Sequence, residues 1–303
     1  MTAPRHQQGT TAGPALLVVG AATSQEVGAA FAVGLFGALG VGGATFARFA
    51  VAGAVLCIAA RPRIRRLTGR AWGAAATLAV SLAAMNLCFY EAISRIPLGI
   101  AVTIEVLGPL VLSVALSRRR SAWLWALLAF IGIAALGVTP KRTDHLDWLG
   151  VAFAAAAALS WAAYIVATSR AVRVFPRLDA LAIASAIGAL LVAPFAVVTA
   201  NHLTFSGHVA ALALAVGLMS SVIPYSLELW SLRSLEPGTF AVLTCLSPVV
   251  AVLAGWVVLG QSLRVLDCLA IALVTAASAG AVRSARRPLT DPPSNGRFDG
   301  DPA

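Results

Sequence analysis

The chain alternates long apolar blocks with short polar breaks. The blocks fall at 14–36, 40–60, 71–93, 97–117, 121–139, 148–168, 178–199, 208–231, 238–259 and 263–282. Most have the roughly 20 residues that a helix needs to cross the hydrocarbon core of a bilayer. Residues 1–13 and 283–303 are polar and predict disordered tails, and 140–147 reads as a linker between two groups of five blocks. The pattern predicts an all-α membrane protein with ten transmembrane helices, five in 14–139 and five in 148–282.

Composition strengthens this picture. Of 303 residues 59% are apolar and 11% charged, with a mean hydropathy of +0.88, whereas a soluble chain carries about 25% charged residues. The formal charge of +10 would suit nucleic acid, but the basic residues sit in the breaks between blocks, where they report membrane orientation. Nucleic acid is therefore not an expected partner; the lipid bilayer is. One set of alternate breaks holds Arg61, Arg63, Arg65, Arg66, Arg70, Arg118, Arg119, Arg120, Arg170, Arg173, Arg177, Arg233, Arg283, Arg286 and Arg287. The other set holds Arg95, Lys141, Arg142 and Arg264. Fifteen against four predicts that the first set and both termini face the cytoplasm, in a bacterial inner membrane.

Within the chain, PLGIAVTIEVLGPL at 97–110 aligns with EPGTFAVLTCLSPV at 236–249, matching Gly99 to Gly238 and Pro109 to Pro248. Five blocks per half is an odd number, so the second half must enter the membrane reversed. The expected architecture is two inverted five-helix repeats, a plan common in secondary transporters, whose site lies near the midplane between the halves.

The polar residues inside the blocks supply the chemistry. Glu105 sits in mid-block, four residues before Pro109. A charge there costs about 2.5–3.5 kcal/mol even on insertion scales and so faces a bundle interior or a wet cavity. Pro109 removes the N–H that would bond the Glu105 carbonyl, and Pro224 does the same for the carbonyl of Ser220. Pro109, Pro224 and Pro248 are thus the expected helix breaks. Arg48 lies too deep in the second block to reach the interface easily; it is either a carboxylate ligand or the structural counter-ion of Glu105. Asn86 and Tyr90 share one helix face, either converging on a solute or bonding a neighbouring helix. Glu26 follows Thr23, Ser24 and Gln25 in an unusually polar turn and predicts a cavity-facing position. Glu105 and Glu26 are the candidate proton carriers. Tyr225 and Glu228 form another polar turn after Pro224, with Arg233 as an alternative partner for Glu228. Glu91, near the outer boundary, is either a site residue or simply wetted. Trp161 and Tyr164, one turn apart, either wall a cavity or simply pack, and the glycines between Gly28 and Gly43 read as close helix contacts.

No Walker motif, glycine-rich phosphate loop or Ser/His/Asp set occurs, and Cys57, Cys88, Cys245 and Cys268 lack metal or disulfide spacing. His6, His145, His202 and His208 lie in the N-terminal tail or the breaks. Neither an enzyme nor a metal or cofactor is expected. Self-association is compatible with the pattern and not specified by it.

The stretches NLCFYEAISRIPLGIAV (86–102), EVLGPL (105–110) and PYSLE (224–228) resemble the EamA-type branch of the drug/metabolite transporter superfamily, and within it the threonine/homoserine exporter group. The resemblance runs over roughly 15–282. It implies ten helices in two inverted halves, alternating access, and export of small amino acids driven by proton exchange. One position departs: the family pattern often carries a lysine in the first helix where this chain has Val33, which leaves the substrate open. Export of another small metabolite or a drug is the nearer alternative; a channel or a membrane enzyme is the distant one.

Overall fold

The computed structural model describes residues 12–116, 123–125, 127–129, 131–132, 147–171, 173–175, 178–199, 206–231, 243–262 and 264–286. Among them every regular element is helical. The helices are α1 (Ala12–Ala60), α2 (Gly69–Ile93), α3 (Leu98–Glu105), α4 (Leu107–Leu116), α5 (Trp148–Ala171), α6 (Asp179–Thr199), α7 (Gly207–Gly217), α8 (Ile223–Ser231), α9 (Ser247–Leu259) and α10 (Val265–Arg286). A π turn, Leu218–Val222, joins α7 to α8. Arg118–Arg120, Lys141, Arg142, His145, Arg177, His202, Arg233 and the 236–242 part of the internal repeat lie outside the described residues, as do Arg287 and most of the 121–139 block.

α1 covers the first two predicted spans without a loop. Its backbone breaks at Gly40, with φ 70° and ψ 170°, a conformation that side chains with a Cβ avoid. A Cβ there would also lie 2.6 Å from the Thr199 carbonyl oxygen. The break reverses the chain. Arg48 bonds the Ser220 carbonyl, and a Cβ on Gly28 would meet the Ser220 hydroxyl. Twenty residues of straight helix would hold positions 28 and 48 about 30 Å apart. Residues 12–39 and 41–60 are therefore two arms folded back on each other.

The other ends have local causes. The Thr68 hydroxyl caps α2 by accepting from the Ala71 N–H at 3.3 Å, and Ser206 caps α7 through Val209 at 3.2 Å. Asp147 starts α5, its Oδ1 accepting from Leu149 N at 2.8 Å and Gly150 N at 3.2 Å. Gly260 ends α9 in the left-handed region, φ 63°. Several boundaries differ from expectation: α1 is already helical at Ala12 and α10 continues to Arg286, each a little into the predicted tails, while α2 starts at Gly69 and α5 continues to Ala171.

Close contacts give the direction of each packed pair. Along the second arm of α1, Gly42 meets Phe195, Phe49 meets Gly188 and Gly53 meets Ala186, so this arm and α6 run antiparallel. The first arm runs against α7 and α8 the same way, Gly20 at Leu227 and Gly34 at Leu212. Ala71 and Leu78 of α2 pack with Ala171 and Ala167 of α5, and Gly150 meets Ile96, again antiparallel. α3 lies on α9, Gly99 at Val252, with the Leu98 N–H donating to Gln261 Oε1 at 3.1 Å. Gly132 meets Val274 while Trp125 covers Gly280, which sets 123–132 against α10.

One large apolar cluster fills the end of the bundle where the two arms of α1 turn. Ala29, Ala32, Leu35 and Leu39 meet Phe89, Tyr90, Ile93, Leu98, Val102, Ala154, Ala157, Ala251 and Ala254 there. Beneath it the middle of the bundle is polar.

Candidate functional site

The polar centre is organised by the proline at 224. Because Pro224 has no N–H, the helix loosens into the π turn, and the Ile223 N–H bonds Leu218 O instead of the usual acceptor. Two carbonyls in that turn then take side-chain donors from α1. Ser24 Oγ donates to Met219 O at 2.8 Å, and Arg48 Nη2 donates to Ser220 O at 2.6 Å. Arg48 Nε also donates to Ser221 Oγ at 3.0 Å, and Nη1 to the Tyr90 hydroxyl at 3.4 Å. The guanidinium carbon stands 5.6 Å from the Tyr90 ring centroid, a cation–π distance. The carbonyl that the sequence leaves unbonded is thus taken by an arginine that is itself buried, at 4% exposure.

Among the described residues no carboxylate is within ion-pair distance of Arg48, and the only ion pairs are those of Arg95. A guanidinium has five N–H groups; neutral oxygens occupy three. The other two belong to a side chain that lines a cavity.

Glu105 comes to this cavity from a second break. α3 ends at Glu105, Val106 forms a turn, and α4 starts at Leu107. Leu110 N reaches Val106 O at a long 3.4 Å, while Pro109 offers nothing to the Glu105 carbonyl. The carboxylate is 8% exposed and lines the cavity. The repeat-related segment breaks at the matching place: Cys245 and Leu246 form a turn and Pro248 opens α9. Thr244, the counterpart of Glu105, lines the same cavity.

The cavity has a volume of about 80 Å³, several times the roughly 10–15 Å³ that admits one water on this measure. Asn86 is in its wall and spends its amide N–H on Leu82 O at 2.8 Å, which leaves its oxygen to the cavity. Tyr225 and Glu228 line it too, and the Tyr225 phenol lies beside Arg48. Met85, Phe89, Trp161 and Tyr164 add an apolar and aromatic part to the wall, and Gln25 and Ser247 two further polar positions.

Two singled-out residues stand just behind the wall. Tyr90 is 0% exposed and does not reach the cavity; between Phe36 and Phe89, with ring centroids 5.7 and 6.2 Å away, it holds Arg48 in place. Glu26 is 2% exposed, interacts electrostatically with Glu105 and Arg48, and has one carboxylate oxygen without a hydrogen-bond partner. Its neighbour Gln25 lines the cavity instead. Glu91 is remote, ion-paired to Arg95 at the end of α2. Val33 packs in the apolar cluster.

Several wall residues were not singled out beforehand. Gln25 and Ser247 are polar residues beside features that were noticed, the Glu26 turn and Pro248. Met85 and Phe89 carry no polar signal; Trp161 and Tyr164, which the sequence left open between a cavity wall and packing, do line the cavity.

Comparison with known proteins places this arrangement. Residues 148–283 match the EamA-like transporter family. The threonine/homoserine exporter RhtA of Escherichia coli strain K12 is 33% identical over 274 residues, covering 90% of this chain and 92% of its own. The threonine/homoserine exporter RhtA of Salmonella typhimurium strain SL1344 matches with the same identity and coverage. A solved crystal structure, 21% identical, superposes with a TM-score of 0.62 over 91% of this chain and 98% of its own, a likeness of fold.

Proposed function

This chain belongs to the EamA-like transporter family, and on that premise we propose that it exports small amino acids of the threonine/homoserine kind across the bacterial inner membrane. The observation that carries the proposal is the pairing, in one cavity, of the Glu105 carboxylate with an Arg48 that has N–H groups to spare. An amino acid presents a carboxylate and an ammonium. Arg48 binds the first by paired N–H groups, as guanidinium does for carboxylates; Glu105 and the Asn86 oxygen receive the second. The hydroxyls of Thr244 and Ser247 are at hand for a hydroxylated side chain.

Two inverted halves rocking about this site would give alternating access. The packed pairs support that plan. The second span of each half (41–60 and α6) runs antiparallel to its counterpart, as do the fourth spans (α3 and α9) and the fifth (123–132 and α10). The first span of one half pairs with the third of the other in both combinations. A two-fold axis in the membrane plane demands this set of pairings. With the Arg-rich breaks in the cytoplasm, the cavity opens inward and the apolar cluster closes the outer end. Proton exchange falls to Glu105 with Glu26 behind it, since one arginine faces two buried acids.

Counterflow in proteoliposomes with labelled threonine or homoserine tests the substrate. Accumulation that unlabelled competitors suppress supports the proposal; none with either amino acid sinks it. The aromatic wall of Phe89, Trp161 and Tyr164 favours a second reading, export of a bulkier metabolite or drug. Growth protection by the expressed protein against toxic amino-acid analogues rather than cationic dyes separates the two.

A further inference from the structure

At the opposite edge of the molecule from the apolar cluster, a groove of about 420 Å³ runs between the first turns of α2 and the last turn of α5. Arg70, Arg170 and Arg173 line it. Small residues form the seam below: Ala71 and Ala75 of α2 pack against Ala167 and Ala171 of α5, so the two helix ends approach closely and their arginines flank one gap. Arg173 is brought back over the groove because the chain turns after α5, its N–H bonding Arg170 O at 3.3 Å. Among the described residues none of the three arginines has an ion pair, the only ones being at Arg95. Thr77, the other polar residue here, spends its hydroxyl proton on Gly73 O at 2.8 Å.

Three guanidinium groups around one gap repel one another unless an anion occupies it, and planar N–H forks match phosphate oxygens in pairs. We propose that this groove binds the phosphate of an anionic phospholipid headgroup. The floor points to a lipid over a free anion. Gly73, Ala74, Ala167 and Val174 offer an apolar track along the helix barrel for the upper acyl chains. Trp72, beside the groove and 42% exposed, has the character of a residue at headgroup depth. On the orientation proposed above the groove opens to the inner leaflet, where basic pockets between helices recognise anionic headgroups. α2 and α5 belong to different halves, so on that reading a bound headgroup ties the halves together at their cytoplasmic end.

Native mass spectrometry of the purified full chain, titrated with phosphatidylglycerol or with phosphatidylcholine of the same acyl chains, tests binding without reference to transport. The wild type is expected to prefer phosphatidylglycerol by roughly tenfold or more, given about fivefold for each basic residue near an anionic surface. The R70Q/R170Q/R173Q variant should fall to the phosphatidylcholine level, and R70K/R170K/R173K, which keeps the charge, should retain most of the preference. R63Q/R65Q, which alters a separate basic loop, should bind as the wild type does. If the triple glutamine variant does not fold, each single variant is expected to lose about fivefold. A preference that survives in the glutamine variants, or that falls equally in R63Q/R65Q, overturns the site. Displacement of the lipid by millimolar inorganic phosphate, with phosphate remaining bound, overturns the lipid as its occupant.

Discussion

Arg48 and Arg95 are the same side chain in opposite circumstances. Arg95 stands at the end of α2, its side chain 29% exposed, with donors on the Glu91 carbonyl at 2.7 Å and the Ser94 hydroxyl at 3.0 Å. It is ion-paired to Glu91, lies 3.9 Å from an Asp147 oxygen, and covers the Phe153 ring at 5.1 Å. Arg48, 4% exposed, donates to a carbonyl and two hydroxyls, with the Tyr225 phenol beside it. The accessible arginine is neutralised twice and the buried one not at all by direct contact. In hydrocarbon the cost of an ionic group is met by a partner or by a wetted cavity. On the proposed function, an arginine held by neutral groups beside two acids out of contact range is the one that receives the substrate's charge, and Arg95 is not.

Substitution sharpens this contrast. R48Q should lower threonine counterflow by roughly a hundredfold or more, as truncation of one partner in a buried charge interaction does. R48K should not rescue it, because one ammonium cannot span Ser220, Ser221 and Tyr90 while also presenting a fork to a carboxylate. Equal counterflow in R48K and wild type would reduce Arg48 to a point charge. E105Q comes next: proton-driven threonine export should stop while the protein remains in the membrane at wild-type level, and unchanged export would remove Glu105 from the mechanism. For Y90F, which keeps the ring and loses one long hydrogen bond from the Arg48 cation, the apparent affinity should weaken about tenfold, near the low end for a bond to a charged group. R95Q should change transport by less than about twofold, since exposed ion pairs contribute only ~0.2–1 kcal/mol. A larger loss there would make the Arg95 end of the bundle, with Asp147 at the close of the 140–147 linker, part of the transport cycle.

The elements that were legible in the sequence were those where a side chain contradicts its surroundings. Pro109, Pro224 and Pro248 each fall at an irregularity, because a missing N–H disrupts the backbone whatever packs around it. Glu105 and Arg48 were legible as mid-block charges. The direction in which an apolar residue points was not. In a soluble helix polarity marks the outer face, but here the lipid face and the packed face are both apolar, so in the alanine-rich α5 Trp161 stayed open between cavity wall and packing, and nothing marked Leu159 as 70% exposed. Tyr90 likewise stays open between solute contact and interhelical bonding until it is seen between the rings of Phe36 and Phe89, bonded to Arg48. The reversal at Gly40 was expected as a break of a few residues; a single residue with positive φ makes it.

The π turn at Leu218–Val222 also sets the azimuth of everything that follows it. One additional residue in a helical turn advances each later side chain by about 100° around the axis. Tyr225 and Glu228 consequently reach the interior, while Ile223 and Trp230, at 41% and 61% exposure, look outward. Removing one residue from this turn would wind α7 and α8 into a regular spiral and swing that phenol and that acid toward the acyl chains. The widened turn is thus a phase shifter, turning an otherwise greasy helix so that its two polar groups face inward.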